Sequence, residues 1–238
     1  MKRGDFVWAA VIVFVLALFV VPATHGVLMS WTRSSPLGMG FAKFAVLASM
    51  GELLSLRLRE RDWVKPAGFG WRVLVWGILG ALIALMFPVF NAGAQAAMSL
   101  GLLPGKGTGL QTLAIAFWTS TLMNVTFGPS MMCAHRISDA YIELCGGHIL
   151  TRRVSFTDLI SHVNWHSFFG FVIGMTVPFV WIPAHTATFL APPEYRVLIA
   201  AFLSIVFGAL LAYGAKVGTK HKPQTSAGDV EVVESAIS

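Results

Sequence analysis

Charged side chains are scarce in this 238-residue chain: Asp, Glu, Lys and Arg make up 12% of it, against about 25% in soluble domains. So few charges cannot cover a water-facing surface. Mean hydropathy is +0.72, and a lipid-facing surface accounts for both values. Cysteine is scarcer still. Cys133 and Cys145 are the only two, giving no disulfide framework and no CxxC metal pair, so they read as inert thiols. No Gly-rich phosphate loop, nucleophile elbow or HExxH occurs, so an enzyme has little to stand on and none is expected. The net charge is +6, yet no soluble element carries a basic face with interleaved aromatics. No nucleic-acid partner is expected.

What the chain has instead is long apolar runs. A membrane span needs roughly 20 mostly apolar residues. Phe6 to Val21 and Val73 to Phe90 are such runs, and Leu110 to Cys133, Phe168 to Ala184 and Val197 to Tyr213 carry only a few small polar residues. Phe41 to Leu56 is a weaker sixth, with Lys43 and Glu52 inside it. The expected fold is all-α: a polytopic helical membrane bundle of about six transmembrane helices, forming one domain over 1–218, with a disordered polar tail over 219–238. The first run, as a span over 5–24, is an added anchor. A cleaved signal peptide is the alternative, although "PATHG" lacks a clean small-x-small cleavage site.

Six spans divide the loops between two sides. Four of the 17 Lys and Arg residues, Arg33, Lys43, Lys106 and Arg196, fall on one side. The other thirteen fall on the opposite side, and basic loops stay cytoplasmic. Both termini are therefore expected on the cytoplasmic side, where the basic residues meet anionic headgroups. On that side, "RISDAYIEL" reads as a short amphipathic helix ended by Gly146-Gly147. A second helix restarts in "SFTDLISHVNWHS", with Thr157 as its N-cap.

Several residues inside the runs invite a role. Gly170, Gly174 and Pro178 share one spacing, and Gly77, Gly80, Ala84 and Pro88 line another stripe. Such stripes mark helix packing. Prolines 88, 129 and 178 each free a carbonyl, and kinked helices of this kind can also line a pore. Ser120, Asn124 and Gly128 recur at i, i+4 and i+8 and share a face, so Asn124 faces protein or water, as interhelical glue or as a pore-lining amide. A carboxylate within a span is a functional candidate, which singles out Glu52. An ion pair with nearby Arg57 or Arg59 is the alternative. Lys43 is expected to snorkel. His162 and His166, at i and i+4, share a helical face that could hold a metal or haem, but no second pair or carboxylate completes a set. His185 stands alone. No metal and no cofactor are expected.

"WIPAHTATFLAPPEYR" interrupts the oily sequence between the last two runs. Pro193 and Glu194 suit the start of a helix, and Trp181 and Tyr195 suit the headgroup zone. The stretch therefore reads as a hairpin across the interface. It resembles the hairpin signature of the eukaryotic family of peroxisomal and mitochondrial inner-membrane proteins named after the Mpv-seventeen protein. The matching residues are Trp181, Phe189, Pro193, Tyr195 and Arg196. Gly51-Glu52 is similar to that family's Gly-Asp pair, and "LLPGKGTGLQTLAI" to its loop-to-helix entry. The resemblance runs over 41–216. It departs where the family's Gln falls on His185, its Asn on Thr188 and its Asp on Glu52, and where the proline after Trp181 is displaced to Pro183.

The resemblance implies an all-helical membrane protein, channel-like or handling small solutes. The expected function is therefore transport of ions or small solutes, with Glu52, Asn124 and His185 as pore-lining candidates and the five hairpin residues as anchors. The alternatives are a non-conducting structural or assembly protein of a membrane complex and a His-ligated redox protein. Expected partners are the lipid bilayer, a second copy or other membrane proteins. The bacterial inner membrane is the expected location, with the mitochondrial inner or peroxisomal membrane as the alternative.

Overall fold

The structure is a computed structural model that describes residues 2–219. The polar tail, with Lys220 and Lys222, lies outside the described residues. Those described form helices and turns with no strand. In chain order these are α1 (Arg3–Val20), α2 (Pro22–Ser34), α3 (Pro36–Glu60), α4 (Phe69–Ser99), α5 (Gln111–Leu144), α6 (Phe156–His162), α7 (Trp165–Ser167), a π-helical stretch (Phe168–Trp181), α8 (Ile182–Leu190) and α9 (Pro193–Thr219). The segment from α7 through α8 is one continuous helix, Trp165–Leu190.

Among the described residues, four helices are long and apolar enough to cross a membrane: α1, α3, α4 and Trp165–Leu190. Their surfaces suit lipid. Phe6, Phe14, Val89, Phe169 and Phe179 are all more than half exposed, an arrangement that water would punish and hydrocarbon does not.

Helix α3 is the hub, packed on both α4 and α9, while α5 packs on α4 and α8. Glycine allows the closest approach. A Cβ built on Gly40 of α3 would lie 2.6 Å from the carbonyl oxygen of Gly80 on α4, so the two backbones touch. Gly51 does the same for α9, where a Cβ would lie 3.0 Å from Ile205 Cα. Phe44, Leu47, Ile83, Phe87, Met123, Phe189 and Ile205 fill the core between these crossings. Helix α1 leans on this core through Trp8, Ile12, Val15 and Phe19.

Chain breaks follow local chemistry. Val21 is extended (φ −69°, ψ 122°) ahead of Pro22, which ends α1 and starts α2. Thr24 Oγ1 then donates to the Leu18 carbonyl at 2.8 Å, and His25 Nδ1 lies 2.7 Å from that of Phe19, satisfying carbonyls that the end of α1 frees. Pro88 and Pro129 sit inside unbroken α4 and α5. Pro178 lies in the π-helical stretch, a known way to absorb a misfit in the ladder.

Several expectations are corrected. "RISDAYIEL" is not a separate helix: α5 runs through it to Leu144 before Gly146 and Gly147 adopt positive φ (60° and 83°). The N-cap of α6 is Ser155, whose side chain accepts from the Asp158 N–H, and not Thr157. His162 and His166 do not share a helix, because Val163 is extended between them (ψ 126°) and Asn164 starts a new turn. The expected hairpin is a tight turn at Ala191-Pro192, with residues 181–190 helical. Of the small-residue stripes, Gly77, Gly80 and Ala84 are buried and Pro88 is exposed, while Gly170, Gly174 and Pro178 all face outward.

Candidate functional site

Two polar networks sit in the apolar bundle. The first lies between α5 and α8. Helical spacing places Ser120, Asn124 and Gly128 on one face of α5, and all three are buried. Ser120 Oγ donates to the Ile182 carbonyl at 2.8 Å, pinning α5 to the start of α8. Asn124 Nδ2 donates to the Ser120 carbonyl at 2.9 Å. The Asn124 amide also reaches across to His185, with its nitrogen 3.1 Å and its oxygen 3.2 Å from Nδ1. Either imidazole tautomer is thus served: the amide N–H donates to a bare Nδ1, or Nδ1–H donates to the amide oxygen.

Aromatic rings enclose this pair. Trp181 stacks on His185 at 5.4 Å, Phe87 meets it edge-on at 6.0 Å, and Phe207 closes over Trp181 at 4.6 Å. The indole N–H of Trp181 is buried without a hydrogen-bond partner. Leaving such a donor unmet costs about 1–3 kcal/mol. The arrangement gathers hydrogen-bond donors and acceptors within aromatic walls.

The second network joins α3, α4 and α5 at one end of the bundle. Arg72 Nη1 lies 2.9 Å from Glu52 Oε1 and 3.0 Å from Asp139 Oδ1. Arg72 Nε donates to the Ala67 carbonyl at 3.2 Å, and Trp76 Nε1 donates to Glu52 Oε2 at 3.0 Å. The His135 ring lies against Trp76, tilted by 41° with centroids 4.1 Å apart, and its Nδ1 is 3.5 Å from Asp139 Oδ2. One guanidinium therefore serves two carboxylates.

Glu52 thus pairs with Arg72, and not with Arg57 or Arg59 as the spacing suggested. Arg57 instead holds Asp5 of α1 at 3.0 Å, and Trp63 Nε1 donates to the same carboxylate at 2.8 Å. The structure brings Asn124 and His185 together and leaves Glu52 in a separate network. Two surface hollows, one beside Lys65 and one between α4 and α5, include none of the three. Lys43 does not snorkel. It is buried, donates to Thr32 Oγ1 at 3.0 Å and lies 5.6 Å from the centre of the Phe19 ring.

The turn residues divide by task. Phe189 is core, and Pro193 opens α9. Arg196 Nε donates to the Ala191 carbonyl at 2.9 Å and lies over the Phe189 ring. The Tyr195 hydroxyl is 3.3 Å from His25 Nε2. Since the Phe19 carbonyl can only accept, His25 carries its proton on Nδ1 and Nε2 accepts from Tyr195. Arg33 pairs with Glu194 at 3.0 Å, so the turn is tied to α2. Trp181 lies within the bundle rather than at the turn. No cluster of His, Cys, Asp or Glu that could hold a metal exists among the described residues.

No family model, no curated protein and no solved structure matches this chain. Arg72, Trp76, His135 and Asp139 were missed from sequence. Arg72 was counted only as a topological charge, although a cation opening an apolar run is itself a signal.

Proposed function

We propose that this chain is a polytopic membrane protein of six spans, with both termini on the cytoplasmic side, that passes a small solute or ion along its interior. The Asn124–His185 pair is the observation that carries this. Two hydrogen-bonding side chains in mid-bundle are expensive in hydrocarbon and are functional candidates for that reason. The unmet Trp181 N–H beside them adds a donor for a passing solute. Helices α5 and α9 would be the two spans beyond the four named above. Orientation is supported by charge: Arg57, Arg59, Arg72, Arg152 and Arg153 all belong to the end that holds the Glu52–Arg72 network. The likeness of Trp181–Arg196 to the Mpv-seventeen family hairpin agrees with this proposal. With its charge offset by Arg72, Glu52 acts in it as a clamp between helices.

The test is reconstitution in liposomes and planar bilayers, with solute flux and single-channel current recorded for wild type, His185→Ala and Asn124→Leu. The expected result is flux that each variant lowers more than about tenfold while helical content is unchanged. Silence of the wild type across several salts, sugars and voltages would overturn it. A non-conducting assembly protein is the second reading. It is favoured by the outward-facing Gly170, Gly174 and Pro178, and cysteine cross-linking along that stripe between copies or to partner membrane proteins would support it.

A further inference from the structure

A crevice of about 430 Å³ opens between α4 and α5, away from both polar networks' interiors. Leu74 and Ile78 of α4, Ile137 and Tyr141 of α5, and Ile149 and Leu159 beyond them line it. Its mouth adjoins a second hollow of about 540 Å³ that shares Trp71 and Leu74 and is edged by Lys65 and Gly147. The two hollows share a wall: an apolar slot along the helices opens into a mouth at their end whose lining carries one charged side chain, Lys65.

The mouth is positively charged and uncompensated. Lys65 edges it directly. The Arg152 guanidinium lies 3.7 Å from where a Cβ on Gly146 would be, Gly146 being the chain neighbour of the lining residue Gly147. Neither cation has an ion pair among the described residues, because the acids of this end are otherwise engaged. Asp62 binds Lys2 at 2.7 Å, Asp139 binds Arg72, Glu143 faces His162 at 3.7 Å, and Asp158 accepts from Ser155. Trp71 and Tyr141 mark the junction between slot and mouth, the level that amphipathic rings prefer at a membrane edge. Leu74 and Ile78 are 39% and 49% exposed, so the slot is open sideways toward the surface that suits hydrocarbon.

We propose that this crevice binds one anionic phospholipid of the surrounding bilayer, an acyl chain lying in the slot and the headgroup phosphate held by Lys65 and Arg152. Basic pockets between membrane helices on the cytoplasmic side suit such headgroups. The site is independent of whether the interior conducts. It would fasten the α4–α5 pair where the Arg72 network also fastens it.

Native mass spectrometry of the full chain in detergent, titrated with phosphatidylglycerol, phosphatidylcholine or inorganic phosphate, tests this. One phosphatidylglycerol should be retained per chain, about twenty-five-fold more tightly than phosphatidylcholine, since two basic contacts are each worth about fivefold. The double variant Lys65→Ala/Arg152→Ala changes only exposed residues and should erase that preference without loss of helical content. Ile137→Trp should fill the slot and abolish retention of either lipid. Equal retention of the two lipids by wild type would overturn the proposal. So would a preference that survives the double variant, or displacement of phosphatidylglycerol by millimolar phosphate, which would make the site one for a free anion.

Discussion

Replacing Arg72 by Met keeps most of the stem and removes the one positive charge shared by Glu52 and Asp139. Side-chain exposures are 10% for Arg72, 15% for Glu52 and 13% for Asp139, so water cannot take the guanidinium's place without the helices parting. Both contacts are short, at 2.9 and 3.0 Å. Breaking a buried pair from one side costs about 3–5 kcal/mol, because a desolvated charge is left behind. Here two carboxylates would be left, facing each other across the missing cation, so the upper half of that range is expected. The triple variant Arg72→Met/Glu52→Gln/Asp139→Asn carries no charge at this point. It should recover to within about 2 kcal/mol of wild type, since a neutral replacement of a whole buried network is often tolerated. Reversible unfolding in detergent measures both. A cost below about 1 kcal/mol for Arg72→Met, or a triple variant no more stable than the single one, would refute the reasoning.

A further outcome follows from one helix crossing. Gly40→Ala places a methyl group 2.6 Å from the Gly80 carbonyl oxygen, and the backbone cannot yield as a flexible side chain would; a loss of about 1–3 kcal/mol is expected, read from the melting temperature, with Gly26→Ala, which meets nothing, as the control.

Helix positions were legible because they depend on nearby residues. The apolar runs at Phe6, Val73 and Phe168 all became helices, and Pro193 and Glu194 did start α9, since a missing N–H and an acidic first turn act within one turn of the chain. The shared face of Ser120 and Asn124 followed from helical periodicity alone. Where sequence spacing misled, the cause was a local break or a distant competitor. One extended residue, Val163, separates the His162–His166 pair. Trp181, read as a headgroup-zone residue from its type, stacks on His185 within the continuous helix Trp165–Leu190, and no spacing in the sequence announces that partner.

By itself, the sequence determined that this chain is all-helical, that its surface suits lipid, and which face of α5 carries the buried amide. Those properties sum over neighbouring residues and need no knowledge of what lies across the bundle. Only the tertiary structure decided the partners. Glu52 took Arg72 rather than Arg57, Arg57 took Asp5, and Asn124 took His185 some 61 residues away. A buried charge or amide must be satisfied by whatever the packed helices bring within about 3 Å, and the glycine crossings at Gly40, Gly80 and Gly51 set which helices those are.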